Sequence, residues 1–126
     1  MLKRALLIIA VLLIFSSQVS AQTESQSLIL KPGFNFISFT VTISITPQQL
    51  KQFSSYVEDV YLYSAAAGSF LSVNEGTLTT IAAGKGYIIK SASAETLTLT
   101  IPGSLLANVN NITLKPGFNL VGFSKV

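Results

Sequence analysis

At 126 residues the chain has the length of one domain; it contains no cysteine and no histidine, and only 10% of its residues are charged. A disulfide framework, thiol chemistry, imidazole catalysis and a cysteine-histidine metal cluster are excluded at once. The formal charge of +3 forms no basic stripe, and arginine is absent after position 4, which excludes a nucleic-acid partner.

The first residues read as an export leader. Lys3 and Arg4 precede an uninterrupted apolar run over 5–15, and Val19-Ser20-Ala21 has the small-residue spacing of a signal peptidase site. This predicts a signal peptide over 1–21, cleaved before Gln22, with the membrane met only during export. The run is too short to span a bilayer, which takes ~20 helical residues. Removing two of the eight basic residues leaves six against five acidic ones, a net charge near +1. The remaining 105 residues suffice for a packed core, and the predicted localisation is secreted, extracellular or cell-surface, the periplasm included.

Residues 22–27 are polar and read as a flexible lead-in, and the single domain is predicted over 28–126. A decapeptide is then written twice, as Leu30-Lys31-Pro32-Gly33-Phe34-Asn35-Phe36-Ile37-Ser38-Phe39 and as Leu114-Lys115-Pro116-Gly117-Phe118-Asn119-Leu120-Val121-Gly122-Phe123. Pro32 and Pro116 preset φ at the second position of a turn, and Gly33 and Gly117 supply the positive φ that a type II turn requires. Asn35 and Asn119 are expected to bond the local backbone. Related turn-strand motifs are therefore predicted at 30–41 and 114–125. Ile37, Phe39, Val41, Ile43 and Ile45 alternate with small polar residues, the period-two mark of one long strand with a buried face over 36–45.

Thr46-Pro47-Gln48-Gln49 is a capping box with proline at the first helical position, predicting a helix from Pro47 to about Tyr56 that buries Leu50, Phe53 and Val57. Strands are predicted over 57–63 and 70–73, with turns at 64–68 and 74–76. Residues 77–83 fit either a loop or a weak strand. Gly84 and Gly86 suit a close backbone approach or a bulge before a strand over 87–90. A further alternating strand over 95–101 is closed by a Pro102-Gly103 turn, and 104–110 connects to the second motif, whose strand ends near Ser124. Short strands at regular spacing with one helix predict a mostly β fold, a small antiparallel sandwich or barrel.

The order of these elements resembles a module of secreted and cell-surface bacterial and archaeal proteins, with a G-W-N-L-I-S strand, a central aromatic strand, a G-x-G-Y-W strand and a closing G-W-N-L-V-G strand. Here the elements are Gly33-Phe34-Asn35-Phe36-Ile37-Ser38, Val60-Tyr61-Leu62-Tyr63, Gly84-Lys85-Gly86-Tyr87-Ile88 and Gly117-Phe118-Asn119-Leu120-Val121-Gly122, with Phe34, Phe118 and Ile88 in place of tryptophan. The resemblance implies a non-catalytic extracellular module without catalytic residues or cofactors.

The residues themselves agree with an expectation of no enzymatic activity. Of Glu24, Glu58, Asp59, Glu75 and Glu95 only Glu58 and Asp59 adjoin, and neighbours on a strand point to opposite faces, so the pair reads as a solvated strand start. Calcium held by Glu58, Asp59 and Asn74 lacks the dense Asp/Asn/Gly spacing of a hard-cation loop, so no metal is expected. Tyr61, Tyr63 and Tyr87 are the candidate ligand-binding residues: on one sheet face they would form a stacking platform for an extracellular glycan, and otherwise they are amphipathic core edges. A cell-surface protein is the other external partner. Self-association is the third reading, because the chain carries no charge from Phe34 to Gln49 and such a strand at an edge is an assembly hazard. Asn111-Ile112-Thr113 matches a glycosylation acceptor.

Overall fold

A computed structural model describes residues 23–105 and 112–122. The predicted leader, the Asn111 acceptor, most of the 104–110 connection and the end of the last predicted strand lie outside those residues. The fold is mostly β. Seven strands, β1 (Thr23–Leu30), β2 (Gly33–Ser38), β3 (Val41–Thr42), β4 (Val57–Ser64), β5 (Ser69–Ser72), β6 (Gly86–Ser91) and β7 (Leu97–Leu105), accompany one short helix, α1 (Pro47–Lys51). They form two antiparallel sheets, β1-β7-β3 and β2-β6-β4-β5, stacked as a sandwich that does not close into a barrel.

The core lies between the sheets. Leu28, Leu30, Leu99 and Ile101 from the first sheet meet Val60, Tyr87 and Ile89 from the second, with Phe39, Leu50 and Leu78 filling the ends. β1 begins earlier than its composition predicts. Thr23 to Ser27, expected as a flexible lead-in, pair with Ser104 to Thr100 of β7. An edge strand needs only one partner and tolerates a polar outward face, so Thr, Ser and Gln serve where apolar alternation is missing. Pro102-Gly103, expected as a turn, instead lies inside β7. There β7 has β1 alone as neighbour, since β3 pairs only with Leu105 and Ser104. That is the sheet position where a missing N–H is tolerated.

The single long strand predicted over 36–45 is divided between the sheets. The chain leaves β6 after Ser38 and joins β7 at Val41. Its alternation survives the crossing, with Phe39 and Val41 buried and Ile37, Ile43 and Ile45 packed against the core. At the corner Gln26 of β1 replaces a missing strand neighbour: its Nε2 donates to the Ser38 carbonyl (2.8 Å) and its Oε1 accepts from the Thr40 N–H (2.8 Å).

α1 carries the predicted capping box, Thr46 Oγ1 accepting from the Gln49 N–H (3.2 Å) and Gln49 Oε1 from the Thr46 N–H (2.9 Å). It stops after Lys51, five residues short of the predicted end. Ser54 diverts the chain, its Oγ accepting from the Tyr56 N–H and its carbonyl from the Val57 N–H. Leu50 is fully buried, Phe53 is exposed, and Val57 opens β4.

The Gln26 amide predicts a measurable contribution from the corner. Gln26→Ala should lower the free energy of unfolding by ~1–2 kcal/mol in urea titrations, whereas Ala at the exposed Gln48 should change it by less than ~0.5 kcal/mol.

Candidate functional site

The duplicated motif builds the same turn twice. Gly33 and Gly117 take φ of 87° and 91°. In the first copy the Asn35 side chain accepts from the Lys31 N–H (2.8 Å) and donates to the carbonyls of Lys31 (2.8 Å) and Gly33 (3.1 Å). In the second, Asn119 accepts from the Lys115 N–H (2.9 Å) and donates to Lys115 (2.7 Å) and Gly117 (3.0 Å). Both asparagines thus serve the local backbone, and Asn35 Nδ2 also reaches the Ile89 carbonyl of β6 (3.4 Å).

After the turn the copies diverge. The first becomes β2. The second, expected to form a strand, makes only one bridge among the described residues, Val121 opposite Lys85, with Gly86 N–H bonded to Leu120 O (3.3 Å) and Gly122 N–H to Gly84 O (3.2 Å). β6 already has β2 and β4 on its two sides, so a further segment reaches only its extension. Gly86 admits that segment: a Cβ there would stand 2.8 Å from Leu120 Cγ.

Because Phe34 follows the turn directly, the register of β2 decides which side its aromatics take. Phe34 lies opposite Lys90 and Phe36 opposite Ile88; Ile88 pairs in turn with Tyr61, and Tyr63 with Phe70. These residues share the outer face of the four-stranded sheet, while the alternate positions Val60, Tyr87 and Ile89 face the core. Phe34, Phe36 and Phe70 are 64%, 73% and 50% exposed, and Tyr61 and Tyr63 are half-buried beside them. The Phe34 and Tyr61 rings stand 6.3 Å apart at 51°, and Tyr63 meets Phe70 at 5.2 Å and 70°. Phe34, Tyr61, Phe70 and Ile88 border a shallow groove of about 240 Å³.

Lys90 crosses this face, its ammonium 5.6 Å from the Phe34 ring centre and 2.8 Å from Glu58 Oε1. The hydrogen bond to Glu58 raises the Lys90 pKa above the ordinary 10.5. Burial pushes the Tyr61 hydroxyl above 10.0, with the Asp59 carboxylate adding to the rise and Lys90 opposing it.

Tyr87 does not join Tyr61 and Tyr63. It is buried on the opposite face of the sheet, its ring edge-on to Phe39 at 5.5 Å. Its hydroxyl accepts from the Ala82 N–H (2.7 Å) and faces the Ala82 carbonyl (3.4 Å). Burial raises its pKa, and the bond to Ala82 opposes the rise. The platform of three tyrosines is corrected to two, joined by three phenylalanines. A period-two signal for Phe36 was present: in the strand whose odd positions face the core, Phe36 is the apolar residue out of phase.

Glu58 and Asp59 also depart from a solvated strand start. Glu58 is exposed, but Asp59 is buried: a β-bulge shifts the β4–β6 register between Val57 and Asp59, and Asp59, opposite Lys90 on the outer face, is covered by the turn after β5. Asp59 Oδ1 accepts from the N–H groups of Val60 (2.8 Å) and Asn74 (3.1 Å), and Oδ2 from Ser72 Oγ (2.7 Å). Asn74 Nδ2 donates to the Glu58 carbonyl (3.1 Å), and Lys51 donates to Asn74 Oδ1. This carboxylate fastens the turn after β5. Among the described residues no cluster of three acidic, histidine or cysteine side chains could hold a metal ion.

No protein-family model, no curated protein and no solved structure matches the chain.

Two outcomes follow from these side chains. Asp59→Ala strands the buried Val60 N–H and Ser72 hydroxyl and should cost ~3 kcal/mol or more in chemical denaturation, whereas Glu58→Ala, which loses one exposed ion pair, should cost under ~1 kcal/mol. The raised pKa values of Tyr61, Tyr87 and Lys90 set a sign at alkaline pH. Above 10.0 for the tyrosines and 10.5 for the lysine the unfolded chain releases these protons while the folded chain keeps them, so their contribution is complete below those values and falls as pH rises past them. Denaturation midpoints followed from about pH 9 to about pH 11 should fall, and Tyr87→Phe should flatten the slope.

Proposed function

We propose that the chain is a secreted, non-catalytic module of the cell exterior with a binding or structural role, and that its working surface is the outer face of the four-stranded sheet. The observation that carries this reading is the exposure of Phe34, Phe36 and Phe70 on one sheet face beside Tyr61 and Tyr63. Each ring offers ~200 Å², so the three phenylalanines alone hold on the order of 400 Å² of apolar surface in water. Patches of that size on soluble monomers are often sites of interaction.

The leader pattern of Lys3, Arg4 and the apolar run over 5–15 supports export, and the resemblance of the two G-F-N motifs to those of extracellular modules points the same way. A sugar platform is less well supported than contact with another apolar surface. Stacking on a planar ring needs parallel exposed faces, whereas Tyr63 and Phe70 meet nearly edge to face and Tyr87 is in the core.

The test uses positions that truncation does not unfold. A Phe36→Ser/Phe70→Ser double variant should keep its melting temperature within a few degrees and lose at least ~10-fold in binding to envelopes prepared from producing cells. Unchanged retention by the folded double variant would overturn the reading.

A further inference from the structure

We infer that the aromatic face is completed by a second copy of this chain, the β2 edge of one molecule pairing antiparallel with the β2 edge of another across a two-fold axis. The inference rests on the reading of the outer face as the working surface and names its partner. Among the described residues β2 pairs with β6 alone, so over 34–37 every second backbone N–H and C=O points away from the sheet with no strand to receive it. Such a row is satisfied in register only by another strand.

Among the described residues the devices that ordinarily protect an edge are missing from β2. It holds no proline and no charged residue, and its ladder with β6 runs uninterrupted from Gly33 to Ser38. The other edges are blunted: β3 has two residues, β5 four, and β1 carries Glu24. An uncharged strand suits a copy of itself better than a charged partner does, since self-pairing brings no like charges together and a charged partner gains nothing from it.

Residues opposite each other in an antiparallel pair share a face, which keeps the rings together. The Ser38 carbonyl is already held by Gln26 Nε2 (2.8 Å), so the pairing that uses most of β2 centres on Asn35 and sets Phe34 of one copy against Phe36 of the other, twice. The two sheets become one of eight strands whose outer face carries both sets of rings without a gap. The same axis uses up both β2 edges, and assembly stops at the dimer. The contact is small, below ~1,200 Å², which predicts a dimer that dissociates on dilution.

Light scattering and sedimentation of the exported protein test this. The expected result is a dimer near ~100 μM that gives monomer near ~1 μM. Phe36→Lys should raise the dissociation constant at least ~10-fold, whereas Phe70→Lys, on the same face at the far edge, should leave it within about twofold. Should Phe36→Lys fail to fold, register can be read by cross-linking. An equimolar mixture of Phe34→Cys and Phe36→Cys should form a disulfide-linked dimer on oxidation, and neither variant alone should, because opposite residues stand within ~5.5 Å. Monomer at every concentration overturns the inference, as does a dimer weakened by Phe70→Lys and indifferent to Phe36→Lys, or growth beyond two copies. Monomeric protein whose envelope binding still depends on Phe36 and Phe70 removes the dimer and leaves the binding face standing.

Discussion

One corner governs this fold. Between Ser38 and Val41 the chain passes from the four-stranded to the three-stranded sheet, and Phe39, fully buried at the crossing, packs against Tyr87 across the sandwich. A strand that changes sheets ties the two layers covalently and fixes how they stack. It also fixes the face of everything before it. With Phe39 directed inward, Ile37 follows it and Phe34 and Phe36 must stand in water. The aromatic surface is therefore a geometric consequence of the core.

Three side-chain amides hold the irregular backbone that such a design needs. Asn35 and Asn119 brace the two proline-glycine turns, and Gln26 braces the corner, each offering one acceptor and one donor as a peptide group would. Where a sheet ladder breaks, a buried or half-buried polar group must find another partner. The chain uses local amides for this purpose, and Asp59 does similar work with a carboxylate beside the bulge in β4.

Much of this was legible in the residues. Proline-glycine turns, the capping box of α1 and the alternation of 36–45 are local physics, and each appears in the structure. What could not be read was non-local. Period two tells which side chains are buried, and it says nothing about which sheet the backbone has joined, so β2 and β3 looked like one strand. The polar start of β1 resembled a loose end because its order comes from β7, far along the chain. Tyr87 and Tyr61 are equally plausible platform residues until pairing with Ile88 assigns them to opposite faces. Phe70 carried no signal in its own strand, since β5 is too short for alternation to show.

The pairing of β1 with β7 has a kinetic side. Thr23 meets Ser104 and Leu30 meets Leu97, sequence separations of 81 and 67 residues. The two asparagine-braced turns need fewer than ten residues each and can form within microseconds, but the first sheet must close a loop spanning most of the domain. Chains dominated by such distant contacts fold slowly. A chain made or threaded amino end first exposes β1 well before β7 arrives to cover it, and a polar half of that strand, Thr23 to Ser27, leaves less apolar surface in water over that interval.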